Sequence, residues 1–244
     1  MDPIQHHYDS LLAEVYTWMF GGFEARVAVN EALFERLNLQ PTGSKLAIDI
    51  GCGSGFQTVP LLQRGFAVDA IDISNVLTDE LRRNADHAQK LNVCVMDGLD
   101  YLRSTATAPP ANVLVCMGDT LVHFPSRDYV RHFLSAARVR LATGGTLILT
   151  VRNYTRTLHG GDCVIPIRLT DTRLLTCVLD YADETIRVTD MLYERNAAGV
   201  WGTRKNTYTK LRLLPGEISA ALVSAGFMLR EQSEVNGLVT FVAE

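Results

Sequence analysis

The spacing of apolar residues changes along the chain, and each change marks a different kind of element. From residue 8 to 38, Leu11, Leu12, Val15 and Met19 recur on one side of a 3.6-residue period, which predicts helix. Gly21-Gly22 breaks this helix. Phe23, Val27, Leu33, Phe34 and Leu37 carry a second one towards Pro41-Thr-Gly. Short apolar runs follow at Leu46–Ile50, Ala67–Ile73, Val93–Met96, Val113–Met117 and Thr146–Val151. Between them lie helical stretches at Phe56–Arg64, Asn75–Lys90 and Arg127–Leu141, with Ser74 placed as an N-cap and Gly65 as a helix end. Gly144-Gly145 reads as a turn before the fifth run. This alternation predicts βαβ units and a parallel sheet.

After Val151 the period falls to two. Arg173–Asp180, Thr185–Glu194 and Trp201–Leu213 predict an antiparallel meander of three strands, turned at Tyr181-Ala-Asp-Glu and Asn196-Ala-Ala-Gly. A helix over Gly216–Ala225 and strands near Met228–Gln232 and Leu238–Ala243 close the chain. The expected plan is one α/β domain over 1–244. It has an N-terminal helical part (1–40), a core (44–153), an inserted meander (163–214) and a closing helix and strands (215–244).

Composition narrows the class of function. At 47% hydrophobic and 20% charged residues the chain is expected to fold. No apolar run approaches the ~18 residues of a membrane span. The opening Met1-Asp-Pro-Ile-Gln-His-His lacks a secretory pattern. Five scattered cysteines without a CxxC predict reduced thiols and a cytoplasmic location. A net charge of −4 without a Lys/Arg cluster argues against nucleic-acid and membrane partners. Nothing in the pattern specifies an oligomer.

The chemistry is concentrated at strand ends. Asp49, Asp72, Asp97 and Asp119 each fall at or just past the end of one of the first four runs, the edge where open α/β sheets bind ligands. Carboxylates gathered there repel one another unless a cation or hydrogen-bond donors lie among them. The turn Gly51-Cys52-Gly53-Ser54-Gly55 lets backbone approach a ligand closely. A dinucleotide fingerprint needs a further glycine where Phe56 stands, and Asp49 disfavours a pyrophosphate. Asp72 follows the turn at about the 20-residue spacing of a ribose-binding acid. A cationic nucleoside without phosphates satisfies all of this, and S-adenosylmethionine is one.

These segments, Leu46-Ala-Ile-Asp-Ile-Gly-Cys-Gly-Ser-Gly, Ala70-Ile-Asp-Ile-Ser, Met96-Asp-Gly and Cys116-Met-Gly-Asp, resemble those of the class I S-adenosylmethionine-dependent methyltransferases of small-molecule type. The resemblance implies a Rossmann-like, mostly parallel seven-stranded sheet with helices on both faces and a reversed last strand. It implies that Asp49 and Gly51, Cys52, Gly53 and Gly55 line the methionine end of the cofactor. By the same resemblance Asp72 binds the ribose, Ile73 packs on adenine, Asp97 and Gly98 meet the adenine amino group, and Met117 sits near the sulfonium. Residues 1–40 look like a lid, with Tyr16 shielding the sulfonium through cation–π attraction.

For each residue a plainer reading stands beside the functional one. The glycine turn with Asp49 suits any tight strand-to-helix connection, Asp97 any strand-end turn, and Asp119 a helix cap near Thr120. Cys52 and Cys116 read as small packing residues. Asp119 and His123, four apart, share one face of a helical turn and are the candidate catalytic pair for proton removal from a hydroxyl acceptor, although a histidine there is more commonly a packing residue. His6 and His7 read as solvated terminus. His87, His132 and His159 form no ligand spacing, so no metal is expected. Arg152, Asn153, Tyr154 and Lys210 are candidates to meet an acidic substrate. The expected activity is direct methyl transfer to N or O of a small molecule. An NAD-type oxidoreductase and a non-catalytic S-adenosylmethionine-binding protein are the alternatives.

Overall fold

A computed structural model describes residues 3–85 and 88–244. His87, read above as a non-ligand, lies outside the described residues. The N-terminal part is a chain of short turns rather than one helix. It comprises α1 (Pro3–His7), a π-turn (Tyr8–Leu12), a 3₁₀ turn (Ala13–Val15) and α2 (Tyr16–Met19). Gly21 and Gly22, at φ +97° and +109°, then reverse the backbone into α3 (Phe23–Arg36).

The alternating core follows as β1 (Leu46–Ile50), α4 (Thr58–Gln63), β2 (Ala67–Asp72), α5 (Asn75–Asn84), β3 (Leu91–Val95), α6 (Gly98–Ser104), β4 (Ala111–Cys116), a 3₁₀ turn (Thr120–His123), α7 (Arg127–Arg140) and β5 (Leu141–Arg152). Ser74 caps α5, accepting from the Leu77 N–H, and Gly65 takes a positive φ just past α4. Gly144-Gly145 is an irregularity within β5 rather than a turn before it. The register against β4 slips there, and a Cβ on Gly145 would lie 2.9 Å from the Ala142 carbonyl.

The insertion has four strands, not three: β6 (Val164–Leu169), β7 (Arg173–Tyr181), β8 (Thr185–Arg195) and β9 (Trp201–Leu211). The added strand β6 contains Pro166 and lies at the sheet edge, where a missing N–H is tolerated. Then α8 (Pro215–Ser224), β10 (Leu229–Val235) and β11 (Leu238–Ala243) complete the chain.

The main sheet has seven strands in the order β10-β11-β5-β4-β1-β2-β3. β1 to β5 pair in parallel, and β11 runs antiparallel to β5. Along β4, Leu114 and Cys116 face a core built with Phe133, Leu134 and Phe241. Val113, Val115 and the following Met117 face the opposite core, with Phe34, Leu61 and Phe66. Burial on both faces explains the continuous apolar runs. No helix among the described residues is long and apolar enough to cross a membrane.

The N-terminal turns bridge the carboxyl edge of this sheet and the second sheet. Leu11, Leu12 and Val15 are buried against Leu175 and Leu192 of β7 and β8. Asp9 accepts from the Ser74 hydroxyl (2.6 Å), and the Gln5 amide donates to the Ile73 carbonyl (2.9 Å). His7 is not solvated as expected. It is 0% exposed, and its Nε2 lies 2.9 Å from Asp190 on β8.

Candidate active site

Side-chain parity decides which candidate residues reach the carboxyl edge. On β1, Ile48 and Ile50 face one core, and Asp49 faces the other. Asp49 is 1% exposed; its Oδ2 accepts from the Thr58 hydroxyl (2.6 Å), and its Oδ1 has no hydrogen-bond partner. Gly51, Gly53 and Gly55 all adopt positive φ, which glycine accepts without strain. The N–H groups of Gly51 and Cys52 donate to the Ile71 carbonyl, and the Gly53 N–H donates to Asp72 Oδ2 (2.9 Å). Asp72 Oδ1 accepts from the Ser74 N–H (2.8 Å). The second acid therefore fastens the glycine turn to the end of β2.

These parts enclose a first chamber lined by Gly51, Gly53, Asp72, Ile73, Asp97 and Gly98, with Tyr16 over it. The remaining predicted cofactor residues do not line it. Asp49 lies behind the glycine turn, Cys52 and Met117 pack into the Phe34 core, and a Cβ on Gly55 would meet Leu81 at 2.5 Å. For Met117 the period-2 alternation along β4 directs the side chain away from the edge. Asp97 lines the chamber and also caps α6, its Oδ1 accepting from the N–H groups of Leu99 and Asp100 and from the Tyr129 hydroxyl. Met96, from the third motif, also lines this chamber, as do Leu77, Thr120 and Phe124, which no sequence motif singles out.

Electrostatics set what the chamber accepts. Burial, together with the nearby Asp72, pushes the Asp49 carboxyl up to about 7 despite the Thr58 hydrogen bond. Burial also raises Asp72, although backbone N–H groups work the other way. No ion pair among the described residues involves either acid. Two uncompensated carboxyls, one with an orphaned oxygen, fit a guest with positive charge and donors. Close approach to backbone is built in, because a Cβ on Gly53 would lie 3.3 Å from the Tyr16 ring. At Gly51 a Cβ would fall 2.5 Å from Thr120, whose hydroxyl is held by the Met117 carbonyl. Gly51→Ala should therefore shift the Thr120 turn, cost about 1–3 kcal/mol of stability and weaken nucleoside binding, as read by thermal unfolding and calorimetry.

The expected Asp119–His123 pair is not formed. Asp119 takes an αL conformation (φ 74°) and caps nothing with its side chain. Its Oδ1 accepts from the Arg152 N–H (2.8 Å); its Oδ2 accepts from Lys210 Nζ (2.8 Å) and the Tyr154 hydroxyl (3.3 Å). Burial opposes the Asp119 charge, but Lys210, His123 and the Arg152 N–H outweigh it and hold the carboxyl below its usual range. His123 is partly exposed, and desolvation of its ring with the Lys210 charge lowers it to about 4, against the pull of Asp119. Its Nε2 lies 3.5 Å from the Tyr8 hydroxyl, and its Nδ1 has no partner.

Tyr8, Tyr16, Gly118 and His123 line both the first chamber and a second one of about 420 Å³ beneath the second sheet. This aperture joins the two spaces. Arg152, Asn153, Tyr154 and Lys210 line the second chamber, where they join Arg26, Tyr208 and Asp190, which no sequence pattern singles out. Tyr208 makes tilted ring contacts with His7 and His123, at 4.3 and 5.4 Å between ring centres. No cluster of His, Cys, Asp or Glu among the described residues is arranged to hold a metal.

Comparison with known proteins fits this geometry. Residues 47–145 match the family described as a methyltransferase domain. Glycine N-methyltransferase from Homo sapiens is 25% identical over 170 residues, covering 65% of this chain and 57% of that protein. Glycine/sarcosine N-methyltransferase from Parasynechococcus marenigrum is 33% identical over 144 residues, covering 58% and 50%. The chain thus spans about half the length of the curated relatives it matches. Among solved structures, the CcbJ methyltransferase from Streptomyces caelestis superposes with a TM-score of 0.79 at 19% identity, covering 98% of each chain. Streptomyces venezuelae DesVI gives 0.75 at 16% identity, covering 95% of this chain and 97% of that one.

Proposed function

We propose that this chain, whose residues 47–145 match the methyltransferase-domain family, is an enzyme that transfers a methyl group from S-adenosylmethionine to a nucleophilic nitrogen or oxygen of a small molecule by direct in-line displacement. The observation that carries this reading is Asp72 lining a chamber beside a glycine turn with Asp49 behind it, neither acid in an ion pair among the described residues, next to a second chamber that shares Tyr8, Tyr16 and His123. Nitrogen is the favoured acceptor atom, since the relatives at 25–33% identity are named N-methyltransferases.

Bound S-adenosylmethionine supplies an activated methyl group on a sulfonium. The chain's residues do the rest. Asp72 and the Gly51–Gly53 backbone hold the ribose and the methionine end, while Asp49 supplies negative potential from behind the turn. Ile73, Leu77 and Met96 give the adenine an apolar bed beside Asp97 and Gly98. Tyr8 and Tyr16 at the aperture are kept neutral by burial, so they offer hydroxyl donors and exclude water without adding charge. His123 is uncharged near neutral pH and, held down to about 4, is a weak proton acceptor, which suits an acceptor that arrives as a neutral amine. Asp119, tied to Lys210, holds the wall in place rather than acting as a base. Rate enhancement then comes chiefly from positioning.

The two sheets act as one unit, because the second sheet walls the acceptor chamber and the N-terminal turns roof both spaces. All five cysteines are free thiols, consistent with a cytoplasmic enzyme. The net charge of −4 favours small-molecule partners over nucleic acid.

The test is binding followed by turnover. Asp72→Ala should weaken S-adenosylmethionine by roughly ten- to a hundredfold, the loss expected for hydrogen bonds to a charged group. Wild-type affinity in that variant, measured by calorimetry, refutes the site. Tight binding without turnover across amines and hydroxyl acceptors refutes the transferase reading.

A further inference from the structure

Resting on the methyl-transfer reading above, we infer that the acceptor is an amine that carries both an anionic group and a bulky apolar body, and is much larger than glycine. The second chamber, at about 420 Å³, falls in the ~300–1,000 Å³ range of sites that enclose drug-sized ligands. A glycine-sized amine leaves most of it to water. One wall is apolar, formed by Leu12, Leu158, Ile165, Leu175 and Val188 with the Tyr181 ring beside them. Such a surface repays burial only when an apolar guest covers it.

The charged end is equally specific. Both acids in the chamber already have partners, Asp119 with Lys210 and Asp190 with His7. Arg156 has Asp162 at 3.7 Å. Arg26 and Arg152 also line the chamber, and no ion pair among the described residues involves either. Arg26 lies over the Phe20 ring at 5.3 Å, which orients its guanidinium without neutralising it. The two guanidiniums act on each other electrostatically, and each would gain from an anion between them. A carboxylate, with two acceptor oxygens, can pair with both. The nitrogen then faces the aperture of Tyr8, Tyr16 and His123, and the apolar body lies along the second sheet.

Calorimetry on the protein saturated with S-adenosylhomocysteine tests this with glycine, L-phenylalanine and L-phenylalaninamide as probes. L-Phenylalanine should bind roughly ten- to a hundredfold tighter than glycine, the gain expected from burying its ring. It should also bind about tenfold tighter than its amide, which lacks the anion. Arg152→Leu should abolish the preference for acid over amide while leaving amide affinity unchanged. Equal affinities for glycine and phenylalanine, equal affinities for acid and amide, or no binding by any of the three overturns the inference. Turnover is scored separately: phenylalanine held tightly but never methylated leaves the anionic-plus-apolar recognition of the chamber standing and counts against the methyl-transfer reading instead.

Discussion

Asp49→Asn should weaken S-adenosylmethionine by about 2 kcal/mol, roughly thirtyfold, although this side chain does not line the chamber. The loss comes from removing a negative charge behind the glycine turn, at a buried position where the field is poorly screened. The pH dependence is the sharper test. Burial raises the wild-type carboxyl from 3.8 to about 7, so the ligand-free protein holds a proton there that a cationic guest displaces. Wild-type affinity relative to the variant should therefore increase as pH rises from 6 to 8. Stability has the opposite sign. Between about pH 4 and 7 the folded state binds a proton that the unfolded chain has released, so this group's contribution falls as pH rises through that window. Without cofactor, Asp49→Asn should be more stable than wild type at pH 8, and the difference should shrink near pH 4. Thermal unfolding at the two pH values reads it. A constant difference between the proteins refutes the assignment of a proton to Asp49.

Lys210→Met should cost about 3–5 kcal/mol of folding stability, because it strands the Asp119 carboxylate in a buried wall. The side chains of the pair are only 7% and 14% exposed. Asp119→Asn combined with Lys210→Met should recover most of that loss, since no uncompensated charge remains. The signs of both shifts place the pair's contribution across the neutral range. Asp119 is held below its usual value, so its share is present above about pH 4 and lost as pH falls through its lowered titration. Lys210 is burdened by burial but raised overall by Asp119, so its share persists up to about pH 10 and is lost above that. Denaturant unfolding of the single and double variants measures the coupling. Near-wild-type stability in Lys210→Met would show that Asp119 is solvated after all.

The order of elements and the chemistry of the sheet edge are readable because they depend on local signals. Alternating apolar runs and helices identify the parallel sheet, and the glycine turn and spaced acid meet at its carboxyl edge as their positions predict. Side-chain direction is less legible. Asp49 and Met117 end their strands as expected, yet parity turns both into the Phe34 core and away from the cleft. Asp119 and His123 have the right spacing for a shared helical face, but a left-handed residue at 119 redirects the carboxylate to Lys210, 91 residues away. His7 near a terminus reads as solvated, and only the arrival of Asp190 on β8 and Tyr208 on β9, both distant in sequence, covers it. The edge strand β6 is missed because it contains Pro166 and buries none of its residues, so no alternation marks it. These misses share one cause: each depends on a partner supplied by the insertion or on which face a residue takes, and neither is encoded locally.

The N-terminal turns grip two regions at once, Ile73 and Ser74 on one side and Asp190 on the other. One strap therefore shuts both doors. In the proposed enzyme, lifting it to release the spent nucleoside should also unroof the acceptor's space, so departures from the two sites should be kinetically linked. A tightly held guest in either place should then prolong the residence of the other, and by thermodynamic reciprocity each should raise the other's affinity by the same factor.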